Sequence, residues 1–329
     1  SMIMGVREIS CSRAVAEALM EEMERDETVF VIGEDLVSSA GIFGQLRGLP
    51  EKFPERIIDT PISETCIVGS GVGAALTGMR PVVDIHFADF VTTAMDEIVN
   101  QMAKIRYMFG GQAKLPMVLW TPDGGGIYAA AQHSQSLENW FVHTPGLKVV
   151  VPSEPKDVKG LLKAAIQDDD PVVFFQHKSL FKQAGPVPEE PYVIPLGKGE
   201  IKRPGKEITM LTYARMTYFS LEAARQLEEE GVDVEVIDLR TLSPLDFDII
   251  AQSVKKTGRV VVVHEACLTG GFGGEIAARI GEELFDHLKA HVVRVGARYV
   301  PVPFCKELED YVLPQVPDVI AGINKVLKR

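Results

Sequence analysis

Asp59–Gly78 reads DTPISETCIVGSGVGAALTG. Pro61 fixes its own φ and can end a loop, and Ser63 stands where a helix N-cap is expected. Glu64 follows in the first turn, where the helix dipole favours an acid. The next residues are small and apolar, with glycine at 69, 71 and 73. Each glycine inside a helix costs about 1 kcal/mol against alanine, so close approach of this backbone must return something. Glu64 is then either a cap or a working group.

Outward from this stretch, strands alternate with helices. Ser12–Arg25 has helical periodicity, Val29–Gly33 reads as a buried strand, and Glu34-Asp35 closes it. Ser38–Pro50 is a glycine-rich loop expected over a site, and Arg56–Asp59 is a short strand. Pro81–Ile85 is the next strand, and Thr93–Tyr107 reads as one long helix with Ile98, Met102 and Ile105 inward. Strands follow at Met117–Trp120, Leu147–Val151 and Val172–Phe175, the last two separated by a helix at Pro155–Ile166. The proline-rich stretch Lys182–Pro204 breaks the pattern, and a second run of strands and helices begins at Ile208. This predicts a parallel α/β protein of two domains, residues 1–185 and 205–329, joined by a linker over 186–204.

The bulk properties narrow the partners. With 329 residues there is room for two cores, and a formal net charge of −12 argues against a nucleic-acid partner. The four cysteines have no paired spacing, which points to a reducing compartment without a zinc site. No apolar run reaches about 18 residues, so no membrane partner is expected. The Ser1-Met2 start reads as a cloning remnant before a native Met. No signal or transit segment is visible, which favours a bacterial cytoplasm over a mitochondrial matrix.

Several motifs compete for the chemistry. Gly69, Gly71 and Ala74 spell G-x-G-x-x-A, with Asp89 downstream, as in a dinucleotide fingerprint. A fingerprint needs its first glycine between strand and helix, whereas Ser63 already starts the helix here. Gly270–Glu275, GGFGGE, can hold an anion on free N–H groups or be plain turn chemistry. No Gly-Lys-Ser/Thr sequence supports a nucleotide loop. Among seven histidines none has zinc-motif spacing. His133 follows the Gly124–Gly126 loop, where a histidine can move a proton or simply hydrogen-bond within the loop. Asp168–Asp170 can hold a cation or be a solvated turn, and Phe87 and Phe90 can face a ligand or the core.

Taken together, DTPISE (59–64), ALTGMRPVV (75–83), AAAQHSQSLE (129–138), PGLKVVVPS (145–153) and VEVIDLRTLSPLD (234–246) carry a family likeness. The chain, from about Arg7 to Leu327, resembles the β subunit of thiamine-diphosphate-dependent 2-oxo acid dehydrogenase E1 components, of the pyruvate, branched-chain or acetoin type. The resemblance implies a pyrimidine-binding thiamine-diphosphate fold followed by a transketolase C-terminal-like domain. Glu64 matches the glutamate that bonds N1′ of the aminopyrimidine and controls its tautomer. Phe90 matches the aromatic residue packed on that ring, and His86 stands beside it where relatives often carry an apolar residue. His133 matches the histidine that assists acyl transfer to lipoamide. Ala165, Ile166, Asp168 and Asp170, with the Met117/Val118 strand, resemble a structural potassium site.

The Gly-Asp-Gly…Asn segment that binds magnesium and diphosphate is missing. The resemblance therefore implies a separate α subunit carrying magnesium, an α2β2 assembly with a second β subunit, and an E2 lipoyl acyltransferase as acceptor. Alternative readings are a single-chain transketolase or deoxyxylulose-phosphate-synthase-like enzyme, a nicotinamide oxidoreductase, and a noncatalytic assembly subunit.

Overall fold

The structure is a computed structural model that describes residues 6–328, and Ser1 and Met2 lie outside them. The described chain forms two compact units. One holds the chain through Asp123 and again Trp140–Leu196, the other Gly124–Asn139 and the chain from Gly197 onward.

The first unit contains β1 (Glu8–Ser10), α1 (Cys11–Arg25), β2 (Val29–Gly33), α2 (Leu49–Lys52), β3 (Ile57–Asp59), α3 (Glu64–Leu76) and β4 (Arg80–Asp84). It continues with α4 (Ile105–Met108), β5 (Val118–Asp123), the short helix α5 (Glu138–Val142), whose first two residues belong to the other unit, β6 (Lys148–Val150), α6 (Pro155–Gln167), β7 (Val172–His177) and β8 (Ala184–Pro186). Its strands run in the order β6-β7-β5-β4-β2-β3, and these pairings are parallel. Strands β2, β5 and β7 are buried along their whole length, as expected of a sheet covered on both faces.

The chain leaves β2 toward β3 on one side and leaves β4 toward β5 on the other. Neighbouring strands whose connections part in this way open a crevice beyond their carboxyl ends, where ligands bind in open α/β sheets. Helix α3 crosses from β3 to β4 and packs against the sheet. A Cβ on Gly71 would lie 2.5 Å from Val83 Cγ2, whereas Gly73 faces open space. Gly69 and Gly71 lie within the helix, so the strand-to-helix turn of a dinucleotide fingerprint does not form there.

The long helix expected over Thr93–Tyr107 is instead three pieces. A 3₁₀ segment covers Ala88–Ala94, a π-helical turn Glu97–Met102, and α4 Ile105–Met108. Hydroxyls explain the tight first piece: Thr92 Oγ1 donates to the Asp89 carbonyl at 3.0 Å and Thr93 Oγ1 to that of Phe90 at 2.9 Å. Such side chains compete with the α-helical ladder. Ile98, Met102 and Ile105 are nonetheless buried.

The second unit contains β9 (Glu200–Arg203), β10 (Ile208–Thr212), α7 (Arg215–Glu228), β11 (Val234–Asp238), β12 (Thr241–Ser243) and α8 (Phe247–Thr257). It ends with β13 (Val260–Cys267), α9 (Phe272–Leu284), β14 (Val293–Ala297), α10 (Lys306–Val312) and α11 (Val316–Val326). A five-stranded sheet runs β14-β13-β10-β11-β9, with only β9 antiparallel. The stretch 186–204 is thus more than a connector, because Glu200–Arg203 forms the edge strand β9. Ile208, Met210, Val236, Val261 and Val263 form the core with Ala223, Ala224, Val319 and Ile323.

The GGFGGE turn is a packing device. The N–H groups of Gly271 and Gly274 already donate within it, to Leu268 and Gly271. A Cβ on Gly273 would lie 2.8 Å from Nε2 of buried His264. Gly273→Ala should therefore destabilise the protein by about 1–3 kcal/mol through overpacking. Gly281→Ala, on the same helix where nothing lies within 4 Å, should stabilise it by up to about 1 kcal/mol. Chemical denaturation of both variants checks the pair, and equal effects would reject the packing account.

Candidate active site

The crevice at the ends of β2 and β4 is lined with ionisable groups. Glu34 follows β2, and His86 follows β4. His86 is buried, with Nδ1 3.2 Å from Asp84 Oδ1, and Asp84 Oδ2 accepts from Gln45 Nε2 at 3.1 Å. Among the described residues, His86 Nε2 is buried without a hydrogen-bond partner. Burial, the largest single influence, would lower the imidazole pKa, but the bond and charge of Asp84 together with the charges of Glu34 and Asp35 raise it. Burial likewise pushes the Glu34 carboxyl above its usual range, with His86 opposing and Glu64 adding to the rise. Ligand atoms of Glu34, Asp35 and His86 lie within 4.8 Å of one another. Sequence reasoning singled out His86 but gave no role to Glu34 or Asp84. An acid at the C-terminal end of a parallel strand was the available signal.

Ser63 occupies the N-cap position of α3, yet its side chain makes no capping bond. Glu64 is tied down instead. Its Oε2 accepts from Thr93 Oγ1 at 3.2 Å, and Thr65 Oγ1 donates to the Thr93 carbonyl at 2.7 Å. Thr93 Oγ1 also lies 2.9 Å from the Phe90 carbonyl, so its single proton is shared between two acceptors, one on the acid and one on the aromatic segment. Phe90 is partly exposed, edge-on to Phe87 with centroids 6.1 Å apart. An acid at a helix start, a half-open aromatic ring and a buried ring nitrogen lacking a partner are a donor set that fits an aminopyrimidine.

His133 belongs to the second unit, on the segment Gly124–Asn139. It is partly buried, and its N–H donates to the Ala130 carbonyl at 3.3 Å. Gly125 N–H donates to Glu265 Oε2 at 2.8 Å and Gly126 N–H to Glu309 Oε2 at 3.3 Å. Glu138 Oε1 accepts from Tyr213 Oη at 2.7 Å, and Asn139 donates to the Gly270 carbonyl. These anchors lie between 75 and 183 residues away in the chain, so no local pattern signals them.

The four residues expected to hold potassium do not form an open cradle. Arg80 Nη1 donates to the carbonyls of Ile166 at 3.0 Å and Asp168 at 3.1 Å. Lys148 pairs with Asp168 at 2.6 Å, Arg106 pairs with Asp170, and the Ala165 carbonyl accepts from Asp168 N–H. The carbonyls of Ile166 and Asp168 and the carboxylates of Asp168 and Asp170 thus already meet cationic side chains of the chain itself.

The family described as Transketolase, pyrimidine binding domain matches residues 7–183, and Transketolase, C-terminal domain matches 197–319. The subunit beta of acetoin:2,6-dichlorophenolindophenol oxidoreductase from Cupriavidus necator is 45% identical, with 98% of each chain covered. The 2-oxoisovalerate dehydrogenase subunit beta of Bacillus subtilis is 43% identical over 95% of this chain and 97% of its own. A solved structure of a split-gene transketolase, an inactive beta4 tetramer, superposes with a TM-score of 0.79 at 27% identity, covering 97% of this chain and 98% of that one. Sequence identity of this extent spans both units, and the chain belongs to the beta subunits of thiamine-diphosphate-dependent E1 components, the acetoin, pyruvate and branched-chain dehydrogenase family.

Proposed function

We propose that this chain forms the pyrimidine side of a thiamine-diphosphate site in an α2β2 enzyme and passes an acyl group to the lipoamide of an E2 acyltransferase. The observation that carries the reading is Glu64 at the start of α3, linked through Thr93 to Phe90 beside the β2/β4 crevice. Glu64 would hold a proton at pyrimidine N1′, Phe90 would pack on the ring, and His86, oriented by Asp84, would bond at its edge. When bound, thiamine diphosphate supplies the electron sink for breaking a carbon–carbon bond next to a carbonyl. His133 donates a proton or hydrogen bond where negative charge develops during acyl transfer. The α subunit brings magnesium and the diphosphate contacts that this sequence lacks.

Acetoin and 2-oxo acids share one feature, a bond between two oxygen-bearing carbons, and this is the substrate class proposed. A beta4 tetramer described as inactive, from a structural relative, agrees with the need for an α subunit. Reconstitution with an α subunit, thiamine diphosphate and magnesium should give activity against acetoin, pyruvate or branched 2-oxo acids. Dichlorophenolindophenol reduction and lipoyl acylation measure it. Turnover by this chain without an α subunit would sink the split site and favour the single-chain transketolase reading. A reconstituted complex that binds the cofactor yet turns over no member of the panel would favour a noncatalytic subunit.

A further inference from the structure

His133 sits in the middle of a segment whose backbone is held in unfavourable shapes. Tyr128 has φ 59° and Ala130 φ 67°, with Gly124 at 80° and Gly126 at 92°. Left-handed conformations of non-glycine residues are strained and persist only where the surroundings impose them. Here the surroundings are two carboxylates. Glu265, at the end of β13, is 6% exposed, and Glu309, on α10, is 1% exposed. Burying acids is costly unless they are paired and hydrogen-bonded.

Among the described residues, their partners include the loop itself and one arginine. Gly125 N–H bonds Glu265 at 2.8 Å, Gly126 N–H bonds Glu309 at 3.3 Å, and Arg215 Nε lies 2.9 Å from Glu265 Oε1. The fit is close, since a Cβ on Gly125 would lie 2.5 Å from Leu313 Cδ1. Helix α10 adds a further hold, with Tyr128 Oη 3.3 Å from Asp310 and its ring 5.2 Å from Lys306 Nζ. The far end is fixed by Tyr213 on Glu138 and by Asn139 on the Gly270 carbonyl.

We propose that Glu265 and Glu309 are positioning residues for His133: by clamping the N–H groups of Gly125 and Gly126 they impose the backbone path that presents its imidazole. The inference rests on the acyl-transfer role given to His133. Neither acid is a catalytic residue. Two buried carboxylates are a poor way merely to stabilise such a loop, because apolar packing of the same volume serves as well or better. They are a good way to dictate one backbone conformation, because each acceptor fixes the direction of an N–H.

The test uses the reconstituted complex with its α subunit. Glu309→Ala should raise amide hydrogen exchange across residues 124–139. It should also lower kcat for acylation of a lipoyl domain about tenfold or more, while KM for the 2-oxo acid or acetoin stays near wild type. Glu309→Gln, whose amide oxygen still accepts an N–H, should recover most of that loss. The Glu309→Ala/His133→Ala double variant should be no slower than His133→Ala alone, since a residue acting through His133 has nothing left to act through. Tyr213→Phe, which removes only one hydroxyl, guards against failure of Glu309→Ala to fold, and should show a smaller change in the same direction. If His133→Ala lowers acylation while Glu309→Ala and Tyr213→Phe leave it unchanged, the clamp is wrong and the function stands. If His133→Ala itself acylates at the wild-type rate, the role of His133 has failed and the clamp falls with it.

Discussion

Glu64→Gln should leave the complex with the α subunit assembled and reduce turnover by a factor of about 10²–10⁴, the range typical of a lost general acid or base. The substitution keeps size and shape. The Thr93 hydroxyl that bonds Glu64 Oε2 at 3.2 Å can bond the amide oxygen equally well, so the start of α3 stays anchored and stability should change little. The amide loses the capacity to share a proton with a ring nitrogen. The direct readout is exchange of the thiazolium C2 proton of bound cofactor into deuterated water, followed by quenched-flow NMR. Exchange should slow by a factor similar to that for turnover, with cofactor affinity falling far less. Wild-type exchange in the variant would remove Glu64 from the chemistry and leave it the anchor of a helix.

His133→Ala should act on a different half-reaction. Consumption of substrate with an artificial electron acceptor should persist, whereas acylation of a lipoyl domain, followed by mass spectrometry, should fall about 10²-fold or more. The reason lies in the placement of the group. His133 is carried by a segment anchored through Glu265, Glu309 and Tyr213, while Glu64 is anchored to Thr93. Distinct supports allow the two defects to be separated. Truncation at 133 removes a donor without touching those anchors, so the second unit should keep its stability. Equal loss in both assays would mean that His133 serves the first half-reaction as well, and an unchanged acylation rate would reject its assignment.

The two units differ in how much of them could be read in advance. Val29–Gly33 and Ile208–Thr212 are five-residue strands buried from end to end, and runs of β-branched residues announce them without any tertiary knowledge. The Ser63/Glu64 boundary was visible because capping positions and first-turn acids are local in cause, although the serine leaves its cap unmade. Thr93–Tyr107 misled because its apolar spacing is helical, while the hydroxyls of Thr92 and Thr93 redirect the ladder. Spacing reports which face is buried, and Ile98, Met102 and Ile105 are indeed buried. It does not report the hydrogen-bond register that buries them. The glycines of 270–274 were open between anion cradle and turn until the imidazole of His264 was found against them.

By itself the sequence determined the two α/β units, the helix that begins at Glu64, and, through the DTPISE and AAAQHSQSLE segments, the family. These rest on local propensity, hydrophobic period and short contiguous motifs, all of which are written along the chain. The tertiary structure alone decided that the residues around His133 pack with the second unit, and that Arg80, Arg106 and Lys148 take the oxygens of the expected cation site. It also decided that one imidazole nitrogen of His86 is buried beside Asp84 with no hydrogen-bond partner among the described residues. Each of these joins groups distant in sequence or turned by the backbone in ways that residue order does not encode. The Asp59–Gly78 stretch places an acid at the start of α3, and the connections part at β2 and β4.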